Sequence, residues 1–189
     1  MKDAEQFEAF MRNYQNMVFS TAMRLLANNA EAEDVSQEVF LKAYERFDEL
    51  CDSPTAGGWL KTVARNMSLN HLSRYRSRWR FFSEMLTGGA GSETDDPQPI
   101  EFSAQDQGQD EFERLEQQEF VERALQTLPA AQRVPLVLYH MEGMSYEEIA
   151  GKLRISMGKV KTDIFRGREA LRRTLKQAEH TNFLTANER

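Results

Sequence analysis

The chain has 189 residues, 24 Lys or Arg against 30 Asp or Glu, and 40% hydrophobic residues, the composition of one large or two small globular domains. Ten Gly and five Pro exclude a fibrous or low-complexity chain, and one Cys excludes a disulfide framework or a multi-cysteine metal site. No apolar run approaches the ~20 residues of a membrane span, and the polar, acidic start MKDAEQFEAF is no secretory signal, so a cytoplasmic protein without membrane insertion is expected.

Apolar residues recur at three- and four-residue steps from Phe7 to Leu26, which predicts an amphipathic helix or helix pair. Val35, Val39, Ala43 and Phe47 repeat that pattern over 30–47. Pro, Ser and two Gly mark 50–58 as a loop. A third helix starts at Trp59, with Leu60, Val63, Ala64, Met67, His71 and Leu72 on one side and Lys61, Arg65, Asn66 and Asn70 on the other. No stretch alternates with period two for long enough to make a strand. The stretch 83–111 has sparse, unperiodic apolar residues and reads as a flexible acidic linker. Helical periodicity resumes near Phe112. It is interrupted at Pro129 and returns over 130–141, where the internal Pro135 should kink the helix or mark its first turn. Gly143 supplies a left-handed cap. The last residues, 179–189, are polar and expected to fray.

Charge is segregated along this plan. Net charge is −6 over 1–52, +6 over 59–82, −10 over 83–119 and +7 over 152–176. Phosphate affinity follows local cation density, so an acidic protein can hold nucleic acid through two basic faces. Solvated helix faces would give the same runs. The aromatics Trp79, Phe81, Phe82 and Phe165 within them favour nucleic acid.

The strongest local signal is SYEEIAGKLRISMGKVKTDIFRGREALRRTL, 145–175. Ser145 and Glu148 form a capping box, and Ser156 can cap a second helix. Val160, Ile164, Leu171 and Leu175 face inward; Lys159, Lys161, Thr162, Phe165, Arg166 and Arg168 face outward. A short helix, a tight turn and a basic helix make a helix-turn-helix, whose second helix enters the major groove. An ordinary helical hairpin is the alternative.

The segment from LPAAQRVPLVLYHMEGMSYEEIAGKL through GKVKTDIFRGREALR resembles region 4 of the sigma-70 family, in its extracytoplasmic-function (ECF) branch. AEDVSQEVFLKAYERFD (32–48) resembles region 2.2, and WLKTVARNMSLNHLSRYR (59–76) regions 2.3 and 2.4. The resemblance implies an all-α protein of two small helical domains. Region 2 would occupy 1–82 and region 4 112–178, with the linker between them. It implies an initiation factor and not an enzyme, with no cofactor and no metal. Its partners would be core RNA polymerase, through the β′ clamp helices and the β flap, and promoter DNA. An anti-sigma factor covering the polymerase-binding faces is a further partner it admits.

By this resemblance Asp34, Gln37 and Glu38 grip the polymerase, while Arg65, Asn66, Asn70, Arg74 and Arg76 meet −10 DNA. The loop Ser53, Pro54, Thr55, Ala56, Gly57 and Gly58 captures a flipped base, its glycines admitting close backbone approach. Lys161, Thr162 and Phe165 contact −35 bases, with Lys159, Arg166 and Arg168 at phosphates, and Ser156 also belongs to the −35 DNA-binding set. The acidic linker threads toward the polymerase cleft, although a plain solvated tether has the same composition. Two residues depart from the family pattern: Asp163 stands where Arg is usual and would repel phosphate, and Arg154 replaces a turn Gly. Cys51 beside Asp52 reads as incidental, and neither His71 nor His140 belongs to a metal motif. A free-standing helix-turn-helix regulator is the competing class. An enzyme acting on nucleic acid would need acids or metal ligands near the basic faces, which the acids here avoid.

Overall fold

The computed structural model describes residues 4–86 and 111–186, with side chains described over 4–73 and 119–177. All regular structure among these residues is helical. The chain divides into two units, Met1–Ala90 and Gly91–Arg189.

The first unit holds α1 (Ala4–Leu26), α2 (Asn29–Glu45), α3 (Phe47–Leu50) and α4 (Ala56–Leu86). The apolar spacing over 7–26 becomes one continuous helix, not a pair. Asn28 starts α2 by accepting from the Glu31 N–H at 3.2 Å, which satisfies one of the helix's unpaired donors. Helices α1, α2 and α4 pack on one another. Their core is aliphatic at its centre, where Val18, Ala22, Val39, Ala43, Leu60 and Ala64 are fully buried. At one end an aromatic cluster closes it: Phe47 meets Phe7 and Phe10 edge-on at 5.1 and 5.5 Å. Aromatic edges met this way add to the burial of the rings themselves. Ser68 is buried within α4 because its hydroxyl donates to the Ala64 carbonyl at 2.8 Å.

Helix α4 begins three residues earlier than the sequence reading and ends four residues past 82. The early start is a packing effect. Ala56 is buried, and a Cβ on Gly57 would sit 3.1 Å from the Tyr14 ring, so that first turn is held against α1. The expected linker character of 83–111 falls on α4 at 83–86 and on α5 at 111, and otherwise lies outside the described residues.

The second unit holds α5 (Glu111–Gln126), α6 (Ala130–His140), α7 (Tyr146–Leu153) and α8 (Met157–Ala186). Pro135 lies inside α6 and is buried; the helix starts well before it, with Pro129 at its N-cap, so Pro135 is not its first turn. Arg133, also on α6, is buried, and its guanidinium donates to the Leu128 carbonyl at 2.6 Å. Gly143 takes φ +66° as expected. The Met144 N–H donates back to the Leu138 carbonyl at 3.0 Å and closes the end of α6. Gly167 lets α8 approach α6, since a Cβ there would meet the Gln132 carbonyl oxygen at 3.2 Å. Helix α8 runs to Ala186, through most of the segment expected to fray.

Candidate nucleic-acid and polymerase interface

In the first unit α2 buries Ala32, Val35, Val39, Phe40 and Ala43. Because these face inward, Asp34, Gln37 and Glu38 are all exposed. They lie three and four residues apart, so they share one face of the helix. Leu41 is 66% exposed and Tyr44 is 44% exposed, and both continue that face. Neither was singled out from the sequence. The signal was present, because Leu41 follows Gln37 by four and Asp34 by seven, but an isolated Leu in a helix is ordinarily taken as core. Here acidic and amide groups surround an apolar centre, a pattern suited to a partner helix carrying cations.

On α4, Arg65 and Asn66 are half-buried and Asn70 is exposed. Arg74 and Arg76 lie further along the same helix, and their side chains fall outside the described residues. Trp59 is half-buried on the core, with the Arg46 guanidinium 5.8 Å from its ring centroid.

The expected six-residue capture loop is shorter than its sequence suggests. Ala56, Gly57 and Gly58 belong to the first turn of α4, and Ala56 is buried, so they do not form a loop. Gly57 admits the close approach of the Tyr14 ring. The remaining loop residues Ser53, Pro54 and Thr55 are surface positions. The Ser53 and Thr55 hydroxyls lie 2.9 Å apart. Nearby, the exposed Cys51 thiol is pushed above its ordinary value, by desolvation first and then by the Asp52 carboxylate 3.5 Å away.

In the second unit the helix-turn-helix is built as its caps predict. Ser145 accepts from the Glu148 N–H at 3.2 Å, and Glu148 accepts from the Ser145 N–H at 2.8 Å. Ser156 accepts from the Lys159 N–H at 3.2 Å, so its hydroxyl starts α8. Arg154 ends α7 in the left-handed region, φ 53° and ψ 48°. The turn therefore keeps the geometry a glycine would take, and Arg154 bears the strain.

Val160, Ile164 and Leu171 anchor α8 inward. Phe165 is 47% exposed, Arg166 is exposed, and Lys161 and Thr162 are half-buried. The Thr162 hydroxyl donates to the Gly158 carbonyl at 2.9 Å. The Lys161 ammonium lies 5.8 Å from the Tyr146 ring centroid, a cation–π contact that limits its swing. Tyr146 itself stacks on Tyr139 at 4.8 Å.

Three assignments change. Arg168, expected at phosphates, is buried; its Nε donates to His140 Nε2 at 3.0 Å, and its guanidinium lies over Tyr139. Desolvation and then the Arg168 charge hold His140 below its ordinary value, consistent with a neutral acceptor. Lys159, also expected at phosphates, pairs with Asp163 at 3.1 Å. Asp163 is buried, not displayed toward a groove, so it does not face a phosphate directly. Burial raises its carboxyl above the ordinary range, opposed by Lys159 and Arg166. Lys159 is exposed as its helical position implies; Arg168, at the edge of the buried stripe, is the outward-facing residue that packing draws in. Among the described residues no three His, Cys, Asp or Glu side chains converge as metal ligands would, and no helix is long and apolar enough to cross a membrane.

Known proteins fall in line with this geometry. The family model for sigma-70 region 2 matches residues 10–79, and that for sigma-70 region 4 matches 120–171. The chain is 31% identical over 175 residues to the RNA polymerase sigma-H factor of Pseudomonas aeruginosa, covering 92% of this chain and 88% of that one. It is 30% identical over 176 residues to the ECF RNA polymerase sigma-E factor of Escherichia coli K12, covering 89% and 86%. It is 29% identical over 179 residues to the ECF RNA polymerase sigma factor SigW of Bacillus subtilis, covering 92% and 91%. The chain belongs to the sigma-70 family, in its ECF branch. Sigma factors of this family are initiation factors: they join RNA polymerase, recognise promoters and start transcription.

Proposed function

We propose that this chain directs core RNA polymerase to its promoters through three separate faces. The exposed face of α2, with Asp34, Gln37 and Glu38 around Leu41, docks on cationic helices of the polymerase clamp. Arg65, Asn66, Asn70, Arg74 and Arg76 of α4, with the short segment 53–55, meet the −10 element and hold a base unstacked from it. Capturing such a base offsets an unstacking cost of a few kcal/mol without ATP. Lys161, Thr162, Phe165 and Arg166 of α8 read the −35 element, the polar and aromatic side chains at base edges and Arg166 at phosphate or guanine. The chain acts by binding, with no reaction of its own, in the cytoplasm where the polymerase works. An anti-sigma factor would silence it by covering the α2 and α8 faces.

One observation carries this reading. The exposed helix face in the first unit is acidic with an apolar centre, while that in the second unit is cationic with an aromatic. A repressor needs the second of these and has no use for the first. The test is run-off transcription with purified core polymerase and a library of promoter fragments. Core plus this chain should start transcripts at a defined set of fragments, and neither component alone should. Tight duplex binding by the chain without core-dependent transcripts would instead identify a free-standing regulator.

A further inference from the structure

The Lys159–Asp163 pair differs from the other ion pairs on helix surfaces here. In Arg12–Glu8 and Arg46–Glu49 both side chains are more than half exposed, and in Arg172–Glu169 both keep about a third or more of their surface. Such a pair is held weakly and gives way readily when a stronger partner arrives. In the α8 pair, Lys159 is 44% exposed while the Asp163 side chain is only 6% exposed. The ammonium reaches both carboxylate oxygens, at 3.1 and 3.3 Å. Moving Lys159 to a DNA phosphate would leave a buried carboxylate without its nearest cation, which is far costlier than breaking an exposed pair. The pair therefore persists when DNA approaches, and Lys159 contributes little to phosphate binding.

Resting on the reading that α8 faces DNA, we propose that Asp163 is a positioning residue that withholds Lys159 from the phosphate backbone. It thereby lowers the affinity of this helix for DNA of any sequence. Since phosphates are the same in every duplex, removing one such contact costs correct and incorrect sites alike. Base contacts from Lys161, Thr162 and Phe165 then decide a larger share of the binding. Asp163 is thus a specificity determinant that touches no base.

The test uses the full chain and a random-sequence DNA duplex of about 20 base pairs, with affinity measured across a salt series. Each phosphate neutralised contributes about 0.9 to the slope of log affinity against log salt. Asp163→Asn should steepen the slope by about 0.9 and raise low-salt affinity several-fold. Lys159→Gln alone should lower the native slope by much less than that. The double variant Lys159→Gln/Asp163→Asn should return to the slope of Lys159→Gln. A role for Asp163 in packing alone would leave the slope of Asp163→Asn at the native value. An unaltered slope in Asp163→Asn, or a drop of about 0.9 in Lys159→Gln by itself, overturns the proposal. Should Asp163→Asn fail to fold, Asp163→Ser takes its place in the series with the same expected rise in slope. Lys161→Gln and Arg166→Gln separate the two readings. If neither lowers the slope, α8 does not face DNA; if they do and the Asp163 series does not respond, only the role of Asp163 falls.

Discussion

Arg154 illustrates how much one backbone angle matters. Its left-handed conformation ends α7 and aims α8, so the turn cannot relax without moving the second helix. A non-glycine residue there costs roughly 1–2 kcal/mol in local sterics, part of which glycine returns through the greater freedom it gives the unfolded chain. Arg154→Gly should therefore stabilise the protein by about 0.5–1 kcal/mol, seen as a higher midpoint in thermal unfolding. A lower midpoint would mean that the Arg154 side chain contributes more than its backbone costs. His140 offers a second check at this scale. Its pKa is depressed in the fold, so its contribution to stability is complete above the unfolded value near 6.5 and is lost as pH falls below it. The native chain should lose stability between about pH 7.5 and pH 5.5, and His140→Gln should lose less over the same interval. Because the imidazole is partly solvated, the difference should be about half a kcal/mol or less. Identical pH dependence in the two proteins would show that burial and the Arg168 charge do not depress the His140 pKa.

At the scale of the element, the two helices to which we assign partners, α2 and α8, divide their circumference differently. Helix α2 has a broad buried stripe, and everything opposite it is available to a partner. Asp34→Arg with Glu38→Arg should weaken binding to core polymerase by at least about tenfold, roughly 1.4 kcal/mol, while circular dichroism and melting stay near native, because both side chains are exposed. Unchanged core affinity would remove α2 from the docking surface. Helix α8 has a wider inward arc. Its periodicity from Val160 to Leu171 identified the buried side, but Asp163 and Arg168 lie beside Ile164 and Gly167 and are drawn in with them. Polar residues at the margin of a stripe go in or out according to the partners that tertiary packing provides. His140 and Tyr139 provide them for Arg168, and Lys159 for Asp163.

Across the whole molecule, charge is partitioned so that binding is local. A chain of net charge −6 repels DNA at long range, yet it carries +6 over 59–82 and +7 over 152–176. Such a protein binds weakly wherever its cationic helices do not fit and is delivered to DNA by the polymerase it rides on. Lys161→Ala should accordingly reduce transcription from promoters that depend on the −35 element by about tenfold, a loss of roughly 1–3 kcal/mol, with affinity for core polymerase unaltered. Competition for a limiting amount of core polymerase measures the second quantity. If core binding fell with promoter activity, the separation of roles between the two units would be wrong.

The helices, their caps, the turn at Gly143 and the order of the two units were legible in the sequence, because period, capping chemistry and backbone permission act over a few residues. The exposure of Asp34, Gln37 and Glu38 was legible for the same reason: the four-residue stripe of Val35, Val39 and Ala43 puts them on the opposite side of α2. Packing between helices decided the rest. Contact with Tyr14 drew Ala56 and Gly57 out of the loop and into α4. The cross-helix bond to His140 took Arg168 out of solvent, and burial of Asp163 bound Lys159 to it. These outcomes depend on groups brought together from distant positions, or on how deeply one turn of helix is buried, and neither quantity is written in local spacing.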